Sequence, residues 1–277
     1  MSERAANTTV DIEAVADEAF AVLNTGRQIA PFSARLPVFD FDAAYRVTDG
    51  VRQRRVAAGA TTIGRKIGFT NRTIWEEYSV SAPMWGFVYD TSAADIADLG
   101  GSFSIAGFAE PRIEPEIVFG LGKAPSPGMN EHDLLGCIDW LAHGFEVVQS
   151  IYPGWAFTLP DTVAAYGLHG ALLIGPRHDI TGNRDAWEAA LSTFEIDLLR
   201  NGEIMDHGRA ANVLDGPLSA LRHFNEVLAT DLVNPSLAAG ELVTTGTLTR
   251  AFPIEPGETW STRPQGIALD GIEMRFE

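Results

Sequence analysis

The stretch AEPRIEPEIVFGLGK, residues 109–123, sets the first constraint on the fold. Its later part, Ile117-Val118-Phe119, is a plain apolar strand, yet Glu114-Pro115-Glu116 stands directly before it. Side chains of a strand alternate between faces, so both carboxylates leave the same side. Like charges that close repel, and the apolar continuation marks the segment as partly buried. Either the pair looks into water or something positive sits between the two.

Working outward from this strand, the chain has 277 residues, of which 45% are hydrophobic and 21% charged. That suits a globular protein with a substantial core. The formal net charge of −17 would repel a phosphate backbone or an anionic lipid surface, so nucleic acid and membrane are set aside as partners. No apolar run reaches the roughly 18 residues of a membrane span. The first twenty residues lack a basic start followed by an apolar run, so no signal peptide is expected there. A lone cysteine, Cys137, cannot form an internal disulfide, and a cytoplasmic location is the expectation. Its apolar-periodic surroundings mark it as a buried structural thiol.

Apolar spacing of three and four predicts helices over 10–24 and over 40–59, the second capped by Asp40 or Asp42 and ended by Gly59. A strand at 65–70, a helix over 71–78 and a strand at 84–90 follow. Residues 91–107, rich in Ser, Ala and Gly, make the best boundary. Beyond it strands are expected at 113–120, 169–174, 193–200, 241–246 and 267–276, with helices at 131–142 and 217–229. A helical N-terminal portion (1–90) before a strand-rich body (91–277) is an α+β pattern rather than a βαβ alternation.

Three glutamates could hold a hard divalent cation, which wants carboxylate oxygens and leaves positions for water or substrate. Glu114 and Glu116 supply two, and Glu146, set among Phe145, Val147 and Val148, would be costly to bury unpaired. Glu-x-Glu alone is a weak signal, because solvated strand carboxylates explain most such pairs. His143 would share a helix face with Glu146, but no second histidine follows at zinc-ligand spacing. Of 20 basic residues only Lys66 and Lys123 are lysine, so Lys66 in IGRKIGFT either serves as an ammonium able to lose its proton or is a chance surface residue. In FTLPDTVAAYG (157–167) the Asp161-Thr162 pair either caps the helix that follows or turns a carboxylate toward the metal. Thr244-Thr245-Gly246-Thr247 either forms an ordinary hairpin or offers N–H groups and hydroxyls to a carboxylate. FGLGK lacks the spacing of a phosphate loop, and no Gly-x-Ser-x-Gly elbow supports serine hydrolysis.

Taken together, GRKIGFTNR, RIEPEIVFGLG, FEVVQSIY…WAFTLPDTVA, GRAANVLDGPLSAL and AGELVTTGTLT…IEPGE resemble the 2-keto-4-pentenoate hydratase and 4-oxalocrotonate decarboxylase family, within the fumarylacetoacetate hydrolase superfamily. The five segments span nearly the whole chain in the family's order. The resemblance implies a mixed β-roll or sandwich with a small helical N-terminal domain, and homo-oligomers, alone or with a sister hydratase or decarboxylase subunit. It implies Mg²⁺ or Mn²⁺ on Glu114, Glu116 and Glu146, with Lys66 at the substrate and Asp161 near the metal as a candidate base. Thr247 and Gly246 would meet the substrate carboxylate.

The activity so implied is hydration of a 2-hydroxy-2,4-dienoate, such as 2-hydroxypenta-2,4-dienoate, to a 4-hydroxy-2-oxoacid in aromatic-compound breakdown. The alternatives are decarboxylation of a 4-oxalocrotonate-like acid and, more distantly, C–C hydrolysis of an acylpyruvate. The family usually continues Asp-Thr with Ala-Asp-Asn-Ala-Ser, where this chain reads Ala164-Ala165-Tyr166-Gly167-Leu168-His169. It also has Pro-Ala-Leu-Glu where His143-Gly144-Phe145-Glu146 stands here, and Arg in place of Ile151. Tyr166, His169 and Trp85 are therefore expected to fit a different substrate tail, and Thr162 of the Asp-Thr motif to bind the substrate. A subunit that keeps fold and cation without turnover is the non-catalytic alternative.

Overall fold

The computed structural model describes residues 9–36, 38–70 and 83–277. The helix expected at 71–78 lies outside them. Seven α-helices are described: α1 Ile12–Val22, α2 Phe32–Arg35, α3 Phe41–Ala57, α4 Glu131–Leu135, α5 Leu159–Ala164, α6 Arg184–Leu191 and α7 Pro217–Thr230. The strands are β1 Thr62–Gly68, β2 Met84–Tyr89, β3 Ala93–Asp95, β4 Ser102–Phe103, β5 Arg112–Leu121, β6 Ile138–Val148, β7 His169–Ile174 and β8 His178–Asp179. They continue as β9 Glu195–Arg200, β10 Glu203–Arg209, β11 Leu242–Thr244, β12 Phe252–Pro253, β13 Thr259–Gln265 and β14 Glu273–Phe276.

Nine strands form a curled sheet whose main path runs β2-β1-β11-β5-β6-β7-β3, and five form a second sheet in the order β10-β9-β13-β14-β4. On the inner face of the curl Val88, Val118, Ala142, Leu172, Ile174 and Leu242 make a compact apolar plug. Outside, α7 packs Leu221, Phe224 and Leu228 against Trp85, Phe87 and Phe119. The second sheet packs Leu198, Trp260, Met274 and Phe276 with Ile113, Phe145 and Val147. Helices α1, α3 and α5 close one end through Ala16, Ala19, Ala44, Val47, Val163 and Ala164. Asp40 caps α3 by accepting from Ala43 N at 2.9 Å, as its position predicted.

Three expectations change. Only Glu131–Leu135 of the segment 131–142 is helical, and the chain is a strand from Ile138 to Val148. That strand is buried on both faces, so its sequence shows no alternation to distinguish it from a helix. His143 and Glu146 consequently point to opposite faces instead of sharing one. The final strand is confined to Glu273–Phe276, whereas the polar β10 and β13 lie where none was expected. The division at residue 90 runs through the curled sheet, since β1 pairs parallel with β11 and antiparallel with β2.

Candidate active site

The register of β5 and β6 answers the question that the Glu-x-Glu strand raises. Glu114 stands directly opposite Glu146, and Glu116 opposite Gly144, so all three carboxylates face the inside of the curl. One oxygen from each lies within 4.8 Å of the others. Glu116 and Glu146 are fully buried and Glu114 is half-buried. Like charges opposite one another on a sheet are destabilising without a counter-ion. Burial raises all three carboxyls above the ordinary carboxylate range, their mutual repulsion adds to this for Glu114 and Glu116, and the Lys66 charge works against it.

Lys66 reaches the cluster from β1, where its register partner Thr244 opposes Val118 of β5. Its Nζ lies 3.4 Å from Glu146 Oε2 and donates to the Gly167 carbonyl at 2.9 Å. Burial alone would drive off its proton, but the charges of Glu146, Glu114 and Glu116 outweigh burial and hold the ammonium above its usual pKa. The lysine is therefore an ammonium in the protein by itself. Gly86 makes this contact possible, since a Cβ there would fall 2.4 Å from the Tyr166 carbonyl. The apposed segment is strained, with φ near +60° at Tyr166, Gly167 and Leu168.

Each carboxylate is also aimed. Glu116 Oε2 accepts from Gly246 N at 2.9 Å, at a turn where a Cβ would collide with Thr70 Oγ1. Glu146 Oε1 accepts from His169 Nδ1 at 2.7 Å, and His169 Nε2 lies 2.9 Å from Ser92 Oγ. Burial, reinforced by Lys66 and Arg55, holds that histidine neutral. Of the remaining oxygens, Glu116 Oε1 is buried without a hydrogen-bond partner, and Glu146 Oε2 has only the ion pair with Lys66. Oxygen-only donors with lone pairs left over suit a hard cation such as Mg²⁺ or Mn²⁺.

The cluster opens onto a chamber of about 240 Å³. Lys66, Thr70, Glu114 and Thr247 are the polar side chains among its lining residues, and Ile67, Phe69, Met84, Val148, Trp155, Phe157 and Leu168 the apolar ones. Several residues expected here lie elsewhere. Asp161 is buried and accepts from Ser33 N and Oγ and from Thr158 N and Oγ1, at 2.6 to 2.9 Å. It completes a capping box on α5 and ties α5 to α2, three of the four bonds falling on Oδ2 and one on Oδ1, so both oxygens are engaged in holding the two helices together. Thr162 donates to the Leu159 carbonyl within that helix. The Tyr166 hydroxyl bonds the Ala19 carbonyl of α1, and Trp85 is core packed on Tyr45, Phe87 and Phe224. His169 stands behind Glu146 rather than along a substrate. Apolar neighbours without periodicity gave no signal for Phe157 or Leu168.

Residues 77–269 match the model of the fumarylacetoacetate (FAA) hydrolase C-terminal family. The chain belongs to this family. Within it, the chain is 27% identical over 264 residues to a 2-hydroxyhexa-2,4-dienoate hydratase of Comamonas testosteroni, covering 95% of this chain and 97% of that protein. It is 30% identical over 242 residues to a 4-oxalocrotonate decarboxylase of Pseudomonas sp. (strain CF600), 87% of each being covered. Among solved structures it is similar to 4-oxalocrotonate decarboxylase from Pseudomonas putida, complexed with magnesium and adipate, with a TM-score of 0.87 and 28% identity over 98% of this chain and 100% of that one. The fold is that of the family, mixed α and β around a curled sheet. These relatives are lyase-type enzymes, of the hydratase and decarboxylase types that the sequence motifs imply.

Proposed function

We propose that the protein is a divalent-metal lyase that hydrates a 2-hydroxy-2,4-dienoate to a 4-hydroxy-2-oxoacid, as in the breakdown of aromatic compounds. The observation that carries this reading is the convergence of Glu114, Glu116 and Glu146 beside an ammonium at the mouth of one small chamber. These three glutamates would hold Mg²⁺ or Mn²⁺. When bound, the ion is a Lewis acid that favours negative charge on the C2 oxygen of the acid.

The chain's own groups do the rest. Lys66 Nζ faces the chamber, where it holds the acid's carboxylate and can pass a proton. Ketonisation moves the enol proton to the far carbon, and water then adds hydroxyl and hydrogen across the enone. The apolar walls exclude further water, which strengthens every charge interaction within. Gly246 N–H belongs to Glu116, so that turn supports a metal ligand and not the substrate carboxylate. Thr247 spends its hydroxyl proton on the Thr249 carbonyl and can only accept. Asp161 has no part in the proton transfers.

Turnover of 2-hydroxypenta-2,4-dienoate tests the reading. It should cease on chelation and return with Mg²⁺ or Mn²⁺, and activity that survives complete removal of metal would reject it. The second reading, decarboxylation of a 4-oxalocrotonate-like acid, is supported by the TM-score of 0.87 to such an enzyme and would show as CO₂ release. The protein further assembles as a homo-oligomer in the cytoplasm, to which the exposed Val38, Leu232 and Val233 offer apolar surface. Among the described residues no helix is long and apolar enough to cross a membrane. Sedimentation measures the assembly.

A further inference from the structure

Lys66 is held back from the carboxylate with which it pairs. An unhindered ammonium closes on a carboxylate to about 2.7–2.9 Å. Lys66 Nζ stays 3.4 Å from Glu146 Oε2 and spends its short bond, 2.9 Å, on the Gly167 carbonyl. That carbonyl is delivered by an unfavourable turn. Tyr166 and Leu168 have left-handed φ of 60° and 64° on either side of Gly167, and a residue with a Cβ resists that conformation. Such a turn persists only where its surroundings over-determine it. On the Leu168 side the hold is main-chain: Leu168 N donates to the Ala165 carbonyl at 2.8 Å, and Gln149 N donates to the Leu168 carbonyl at 2.9 Å. On the other side the hold is the Tyr166 side chain. Its ring is buried with α1 and α3, and its hydroxyl donates to the Ala19 carbonyl in the last turn of α1. Leu23 N–H, which would meet Ala19 in a continuing helix, turns to the Phe20 carbonyl at 3.2 Å, so Ala19 takes its donor from Tyr166.

We infer that Tyr166 is a positioning residue for Lys66: by tying the turn to α1 it keeps the Gly167 carbonyl on the ammonium, so that Glu146 Oε2 stays open to a divalent cation. The N-terminal helix thereby takes part in the acid cluster without touching it. The inference deepens the reading of Lys66 and the three glutamates as one metal site, and rests on it. Without the tie the turn relaxes, and the freed ammonium closes on Glu146 and competes with the cation there.

Lys66 and Lys123 are the only lysines, so protein labelled with ¹³C at lysine Cε gives one magnetic-resonance signal for each. The Lys66 signal reads the ammonium's surroundings with no metal and no turnover, and exposed Lys123 is the internal control. Tyr166→Phe should shift the Lys66 signal, leave that of Lys123 in place, and weaken Mn²⁺ binding about tenfold, measured by calorimetry on the intact protein. Tyr152→Phe is the matched comparison. It removes another buried hydroxyl of the same cluster, bonded to the Asp161 carbonyl at 2.9 Å, and should change neither readout. Should Tyr166→Phe fail to fold, Gly86→Ala carries the test. Its added Cβ, 2.4 Å from the Tyr166 carbonyl, would press on the same turn and should have both effects. A folded variant of either kind with Lys66 and Mn²⁺ affinity unmoved, or the same effects in Tyr152→Phe, would overturn the positioning role alone. A parent protein that binds no Mn²⁺ would overturn the metal-site reading and the role with it.

Discussion

Two sets of buried acids in this chain look alike in sequence and differ in structure. Asp161 and the pair Glu116 and Glu146 are all fully buried. Asp161 is surrounded by donors: four hydrogen bonds from Ser33 and Thr158 occupy both of its oxygens. Glu116 and Glu146 each have one aimed oxygen, bonded to Gly246 N or His169 Nδ1; Glu116 Oε1 has no hydrogen bond, and Glu146 Oε2 has only the Lys66 ammonium at 3.4 Å. A buried acid whose two oxygens are both held by donors belongs to the scaffold. Acids that converge with too few donors for their oxygens have a cation in their design, of which Lys66 supplies only part.

The contrast is sharpest when each acid is neutralised. Glu116→Gln keeps an acceptor for Gly246 N but removes a metal ligand, so activity should fall on the order of 10³-fold, about 4 kcal/mol. The metal-free variant should be no less stable than the parent in urea unfolding, since it removes one of three buried carboxyls that repel one another. A large loss of stability with activity retained would erase the distinction between the two kinds of acid.

Asp161→Ala should behave in the opposite way. It strands the donors of Ser33 and Thr158 and removes a helix cap, at a cost of about 3 kcal/mol in stability. Divalent-metal affinity in the folded fraction should change less than threefold, a change well under the 1.4 kcal/mol of a tenfold step. Tenfold weaker metal binding would return Asp161 to the metal site.

His143, on the outward face of β6, extends the comparison to pH. Its Nδ1–H donates to the Glu116 carbonyl at 3.0 Å, and Nε2 accepts from Thr262 Oγ1 at 3.0 Å. Burial outweighs the Glu116 bond and lowers its pKa from 6.5 to about 4. Below pH 6.5 the unfolded chain therefore binds a proton that the folded one refuses. Stability from this residue is full above that pH and falls by up to about 3 kcal/mol as pH drops to 4. The raised carboxyls of the cluster act in the other sense, losing stability as pH rises. The histidine's share is the difference in urea midpoint between the parent and His143→Asn, measured at pH 7 and pH 4.5. Equal pH slopes for the two would refute it.

The smallest effect falls on the aiming of Glu146. His169→Leu removes the donor to Oε1 and should weaken Mn²⁺ binding about 10- to 100-fold. His169→Asn places an amide N–H where Nδ1 stood and should restore most of it. Equal affinities for the leucine and asparagine variants would show that His169 only fills space.

Much of this organisation is legible in the residues. The strands at 169–174 and 113–120, the helix behind Pro217 and the Asp40 cap follow local rules of periodicity and capping, and the structure places them within a residue or two. Glu114 and Glu116 share a face by alternation alone. What alternation could not supply was the partner of that pair. Glu146 comes opposite Glu114 through a strand register that spans 32 positions of sequence, and its own strand reads as a helix because both faces are apolar. The segment 164–169 misled for a related reason. Its residues are unusual because the backbone there turns left-handed to offer the Gly167 carbonyl to Lys66, while the Tyr166 side chain leaves the chamber and His169 serves Glu146 from behind.

The central claim meets its most direct test in crystals grown with Mn²⁺ and oxalate. The anomalous signal of manganese should fall within about 2–2.5 Å of a carboxylate oxygen from each of Glu114, Glu116 and Glu146, with oxalate on the side facing Lys66. Manganese bound elsewhere, or held by Glu114 and Glu116 with Glu146 outside bonding distance, would contradict it.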